Sequence, residues 1–178
     1  MIVVGFTGLH GAGKSYAAHR LHAMSKWLLV HKLATLKRVY DAAWQRADAS
    51  SWEEWYRDIY QRVGGDVVMR RILEEIGEQN VCILDAVHSP AEWRAIVARH
   101  PSSLLVGVFS PAQIRQHRRN EPGGQDVRRV GFWHQSEDCL LTYVDWAVSG
   151  TLSHDLLNET CRELVAYVDS TLSSTSPP

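Results

Sequence analysis

Charge of one sign is what this chain most plainly lacks. Its 178 residues carry 19 Lys and Arg against 20 Asp and Glu, a formal net charge of −1. That balance excludes the global basicity with which many proteins grip nucleic acid, although a local basic strip stays open. Cysteine is scarce. Cys82, Cys139 and Cys161 form no C-x-x-C pair, which argues against a disulfide framework and fits small core residues in a reducing compartment. No apolar stretch approaches the ~20 residues of a membrane span. The first residues show neither a basic leader region nor a cleavage site. These absences together predict a cytoplasmic protein with no membrane partner; the oligomeric state stays open. What is present is a 45% hydrophobic composition, enough to bury the core of one domain of ordinary size.

Short apolar runs alternate with helical stretches. Residues 2–6, 81–85 and 104–109 read as buried strands, and residues 27–31 and 146–148 as weaker ones. Between them, helices are predicted over 16–24, 35–48, 51–62, 65–78, 90–99, 111–119, 132–143 and 153–169. Ser89-Pro90-Ala91-Glu92 and Ser110-Pro111 are helix starts, each a serine cap followed by proline in the first turn. In the last helix, Leu157, Cys161, Leu164 and Val168 share one stripe. Apolar strands separated by helices predict a parallel sheet of five strands covered on both faces, the doubly wound α/β class. Ligands of such sheets sit beyond the carboxyl ends of the strands. One domain is expected over residues 1–169. Residues 33–78 form a helical excursion, residues 118–131 an arginine-flanked glycine turn that reads as a lid, and the polar residues 170–178 a disordered tail.

Residues 8–15, Gly-Leu-His-Gly-Ala-Gly-Lys-Ser, match the spacing G-x-x-x-x-G-K-[ST] of a P-loop. A strand precedes the loop and a helix follows it, the context in which the pattern binds phosphate. Glycines let backbone N–H groups close around phosphate oxygens, and the helix start adds partial positive charge. The expected ATP contacts are Gly8, His10, Gly11, Ala12, Gly13, Lys14, Ser15 and Tyr16, with Arg115 from a later helix. Lys14 is expected to reach the β- and γ-phosphates, and Ser15 to set its hydroxyl on Mg²⁺. Asp85, ending an apolar strand, is the candidate carboxylate that holds the metal or its waters. It could also serve as base if the acceptor is a hydroxyl. A helix cap or a plain loop aspartate is the blander reading of the same residue.

Four further stretches resemble one family. Gly5-Phe6-Thr7-Gly8 resembles a "GLTG" opening, and residues 31–37, His-Lys-Leu-Ala-Thr-Leu-Lys, an "xxxAxPLK" segment. Residues 60–66, Tyr-Gln-Arg-Val-Gly-Gly-Asp, are similar to "LQxLGTD". Residues 145–152, Asp-Trp-Ala-Val-Ser-Gly-Thr-Leu, resemble "ADYVIxNxGTLEEL". The family is the group of small P-loop kinases that includes dephospho-CoA kinases, viral-type deoxynucleoside monophosphate kinases and adenylate-kinase-like proteins. The resemblance implies ATP and Mg²⁺ as cofactors and a nucleotide-like phosphate acceptor. It also implies a lid arginine that closes on the transferring phosphoryl group. Arg118 and Arg119 are the lid candidates, within the set Arg115, Arg118, Arg119, Arg128 and Arg129. Arginine suits the task because its planar fork donates two parallel hydrogen bonds.

On the acceptor side, Lys37, Arg38 and Arg62 could hold a substrate phosphate. Asp41 and Asp66 are alternative carboxylates, and His88 either contacts substrate or is a plain loop histidine. Trp44, Trp52, Trp55 and Tyr56 could stack on a base or pack between helices. Two rival functions stay open. One is a kinase for 5-hydroxymethyl-pyrimidine residues in DNA, with DNA as substrate. The other is an ATP-dependent switch acting through a partner.

Overall fold

The computed structural model of the chain describes residues 1–44, 52–120 and 140–175. Five strands appear in chain order: β1 (Ile2–Thr7), β2 (Leu28–Val30), β3 (Val81–Leu84), β4 (Leu104–Phe109) and β5 (Trp146–Ser149). The described helices are α1 (Lys14–Ser25), α2 (Lys32–Trp44), α3 (Trp52–Val63), α4 (Gly65–Ile76), α5 (Pro90–Arg99), α6 (Ala112–Asn120) and α7 (His154–Thr175). A short 3₁₀ turn covers Leu141–Tyr143. The strands form one all-parallel sheet in the order β2-β3-β1-β4-β5. This is the expected doubly wound sheet.

The central strand explains the two-sided core. Along β1, Ile2, Val4 and Phe6 face one way, into a cluster with Leu21 of α1 and Leu157, Leu164 and Val168 of α7. Val3 faces the other way, among Leu36, Trp55, Met69 and Ile72 of α2–α4 and Ile96 of α5. Residues two apart lie on one face of a strand, so a near-continuous apolar run serves both layers. The register sets Val4 beside Ile83 and Leu104. From β1 the chain builds β2 and β3 on one side, then crosses to β4 and β5 on the other. The carboxyl ends of β1, β3 and β4 thus border the crevice where this architecture takes its ligands.

Several boundaries differ from expectation. α1 starts at Lys14 and α2 at Lys32, each earlier than periodicity suggested. The expected tail is corrected: α7 continues to Thr175, so residues 170–175 are helical. Leu172 extends the apolar stripe by one turn onto the core. Ser170, Thr171, Ser173 and Ser174 bond carbonyls three or four residues back, which lets a polar composition stay in the helix. Most of the predicted 132–143 helix and most of the lid lie outside the described residues. Cys82 and Cys161 are buried free thiols. Among the described residues no helix is long and apolar enough to cross a membrane.

Candidate active site

The loop between β1 and α1 is shaped by its glycines. Gly8, Gly11 and Gly13 have φ of 134°, 77° and 105°, values that other residues adopt only with strain. Gly8 is also pressed against β4: a Cβ there would lie 2.2 Å from the Val108 carbonyl oxygen. Ala12 donates its N–H to Leu9 O at 3.0 Å and closes the turn. Gly13 caps α1 with no side-chain hydrogen bond. The first N–H groups of a helix have no intrahelical partner, which is why such a helix start suits an anion. Lys14 Nζ curls over the loop rim, donating to Gly8 O and, at 3.4 Å, to Leu9 O. Ser15 is exposed in the first turn of α1. Tyr16 Oη lies 2.7 Å from His154 Nδ1, with the rings edge to face at 5.7 Å, and so joins the starts of α1 and α7. His10, half-buried, sits on the same loop.

Asp85 stands one residue past β3. Its Oδ1 accepts the Lys32 N–H at 3.0 Å, capping the start of α2, and its Oδ2 lies 3.0 Å from His31 Nδ1. The plainer reading of Asp85 is thus present as geometry. It does not use the carboxylate up, because each oxygen has a second lone pair. The pair His31–Asp85 sits at the ends of β2 and β3, and the ring of His19 from α1 lies 5.2 Å from that of His31.

The arginines are arranged differently from a set aimed at phosphate. Arg115 donates its Nε to Ser110 O at 3.1 Å. Arg118 spreads its fork over main-chain oxygens: Nη1 to Gly11 O at 3.1 Å and Ala12 O at 3.3 Å, Nη2 to Gly150 O at 2.7 Å. The side chain of Arg119, and Arg128 and Arg129 entirely, lie outside the described residues. A hollow of about 290 Å³ opens beside this junction, bordered by Leu9, Ala12, Ser110, Arg115, Ser149 and Thr151. A larger one, about 480 Å³, lies apart from the loop between α1 and α7, lined by Arg20, Met24, Asp155, Asn158 and Arg162.

The expected acceptor cations are dispersed. Arg38 Nε pairs with Glu75 of α4 at 2.8 Å, and Arg62 Nε with Asp58 one turn back at 2.8 Å, both on the surface. Asp66 pairs with Arg70 along α4. Lys37 is exposed on α2. The side chains of Asp41, Trp44, Trp52 and Tyr56 lie outside the described residues. Trp55 is a core residue, 3% exposed, edge to face with Tyr40 at 5.9 Å.

Between α2 and α5 lies a buried polar cluster instead. Lys32 and Glu92 are both fully buried and paired through Nζ and Oε1. Lys32 Nζ also lies 2.8 Å from His88 Nδ1, and Glu92 Oε2 accepts the His88 N–H at 2.6 Å. Ser89 caps α5 by accepting the Glu92 N–H, and its hydroxyl lies 2.6 Å from Tyr60 Oη. Burial, reinforced by the Glu92 carboxylate, pushes the Tyr60 phenol well above its usual range. Sequence reasoning saw the Ser89–Glu92 capping pattern but missed the rest. A Glu three residues after a Ser cap is a local signal. Nothing local marks Lys32 for full burial, since lysines are almost never fully buried unless paired.

No protein-family model and no curated protein matches the sequence. Solved structures do resemble the fold. A shikimate kinase from Bacteroides thetaiotaomicron superposes with a TM-score of 0.62 at 13% identity, covering 94% of this chain and 98% of that one. A gluconokinase from Sinorhizobium meliloti gives 0.57 at 11% identity, covering 99% and 98%. Kti12 from Chaetomium thermophilum, in complex with ADP-AlF3, gives 0.57 at 14% identity, covering 93% and 98%. The chain therefore has the P-loop kinase fold.

Proposed function

We propose that this chain is an ATP- and Mg²⁺-dependent kinase that transfers the γ-phosphoryl group of ATP to a small acceptor. One observation carries the reading: a loop of three positive-φ glycines that delivers the open start of α1, with Lys14 and Ser15, to the crevice end of the sheet. The kinases with a similar fold add support. The resemblance in the sequence favours a nucleotide-like acceptor, a deoxynucleoside monophosphate or dephospho-CoA.

The roles follow from charge. Main-chain N–H groups from Gly13 into α1 hold the phosphates, and Lys14 swings from the Gly8 and Leu9 carbonyls onto the β- and γ-oxygens. The donor set fits magnesium, a hard cation satisfied by one or two protein oxygens and phosphate. Ser15 Oγ and Asp85 would hold it, and it would neutralise charge building on the transferring group. Asp85, tied to Lys32 N–H and His31, also keeps the ends of β2 and β3 in register beside the loop. Acceptors enter from the α2–α5 flank, where His88 is held at both its N–H and its ring by the buried Glu92 and Lys32.

The test is a transfer assay with γ-labelled ATP. The acceptors are deoxynucleoside monophosphates, dephospho-CoA, shikimate, gluconate, and DNA containing 5-hydroxymethyluracil. Label on a small molecule is expected. Label on DNA alone would establish the polymer kinase instead. ATP binding with label on none of them would favour the switch.

A further inference from the structure

We infer that Arg118 is a positioning residue that clasps the outer face of the phosphate loop and prepares its amides for anion binding, rather than a group that touches the transferring phosphate. The inference rests on the kinase reading for what the loop binds. It rests on this structure for where the arginine goes.

The geometry begins with the peptide bond. In a trans peptide the C=O of one residue points opposite to the N–H of the next. The Ala12 carbonyl is therefore the back of the Gly13 N–H, the amide at the mouth of α1. Arg118 Nη1 donates to the carbonyls of Gly11 and Ala12 at 3.1 and 3.3 Å. Its guanidinium thus lies on the side of those peptides away from the Gly13 N–H. A cation on a carbonyl oxygen polarises the whole peptide and makes its N–H a stronger donor, the cooperative effect of chained hydrogen bonds.

The clasp spans three loops. Besides the phosphate loop, Arg118 reaches Ser110 Oγ at 3.4 Å, just past β4, and Gly150 O at 2.7 Å, just past β5. Ser110 Oγ itself donates to Ala12 O at 2.9 Å, and Gly150 N–H donates to Phe109 O at 2.7 Å. Gly150 is built for this closeness: a Cβ there would lie 1.8 Å from Ala12 O and 2.4 Å from Ser110 Oγ. The β5–α7 turn rests on the back of the phosphate loop, and Arg118 pins both. Arginine suits the position because its donors are spread across a planar fork and reach acceptors farther apart than a single ammonium spans.

The two roles for Arg118 separate by ligand. A guanidinium that meets the γ-phosphate distinguishes ATP from ADP. A clasp behind the loop serves both alike. Titration calorimetry on the full chain should measure Mg-ATP and Mg-ADP binding for the wild type, Arg118→Met, Arg118→Lys and Lys14→Ala. Thermal unfolding should be recorded on each variant. Arg118→Met should weaken both nucleotides by the same factor, roughly ten- to a hundredfold, the worth of a charged hydrogen bond. Arg118→Lys should recover only part of that loss, because it keeps the charge and loses the span. The Gly13 amide should move upfield in the Met variant's ¹⁵N–¹H spectrum before any ligand is added. A merely structural loss would lower the melting temperature and leave that amide in place. Loss of ATP binding with ADP unchanged would overturn the inference, as would full recovery by lysine or unchanged affinity for both. If the Met variant does not fold, the Lys variant carries the same ATP-to-ADP comparison. A wild type that binds neither nucleotide, or a Lys14→Ala that binds both normally, would overturn the kinase reading itself and the inference with it.

Discussion

The two flanks of the crevice treat polar groups in opposite ways. On the phosphate-loop flank the mouth of α1 presents main-chain amides, and the Arg118 and Ser110 side chains hydrogen-bond the loop carbonyls behind them. On the α2–α5 flank, Lys32, Glu92, Ser89 and Tyr60 form a buried side-chain cluster that the half-buried His88 joins. The amides of the first arrangement are consecutive in sequence, and only their braces come from 98 to 107 residues on. The second joins residues 29 to 60 positions apart. A phosphate site can be spelled in eight consecutive residues, whereas an acceptor site must be assembled by the fold.

Substitutions sharpen this contrast. Lys14→Ala should lower ATP turnover by about 100- to 1,000-fold, the loss of one pre-organised transition-state contact, and leave the urea midpoint near that of the wild type. A large stability loss there would erase the contrast, because Lys14 would then be structural. Glu92→Ala should act in reverse. Removing one partner of a fully buried pair strips Lys32 of its carboxylate, at about 3–5 kcal/mol in urea unfolding. A variant as stable as the wild type would show the cluster to be incidental.

A pH series tests the same flank. Burial pushes the Tyr60 phenol upward, and the Cys82 thiol up to about 12. In the unfolded chain these groups ionise near their ordinary values, about 10 and 8.5, while the folded chain keeps them protonated. The unfolded state then binds fewer protons, so stability present below those values is lost as pH rises through and beyond them. Tyr60→Phe should flatten the decline above about pH 10 in urea unfolding. An unchanged slope would remove Tyr60 from the account. The smallest effects should come from Arg38→Ala and Arg62→Ala. Their exposed ion pairs contribute about 0–1 kcal/mol, and acceptor KM should hardly move. A large rise in KM would return these cations to the acceptor site.

The same contrast explains what could be read without a structure. β1, β3 and β4 were plainest because each is a short apolar run serving two covered faces, as Ile2, Val3 and Val4 do, whereas the edge strands β2 and β5 are partly exposed. The loop from Gly8 to Ser15 was legible because its chemistry depends on backbone freedom at fixed spacing. Arg118 stood out by its charge, but the direction of its side chain could not be read, since the acceptors on Gly11 and Gly150 come from loops far away in sequence. Arg38, Arg62 and Asp66 attract attention by charge, yet each meets an opposite charge nearby on the surface. Lys32 attracts none, and its burial depends on Glu92, 60 residues on. The helical end of α7 was missed because serine and threonine score as tail, while Leu172 reaches the core.

The most direct measurement is a ¹⁵N–¹H titration of the full chain with Mg-ATP. The amides of Gly11, Gly13, Lys14 and Ser15 should show the largest and earliest shifts, and Lys14→Ala should abolish them. Shifts confined to the hollow between α1 and α7, around Arg20 and Arg162, with the loop amides unmoved, would contradict the assignment of the phosphate site.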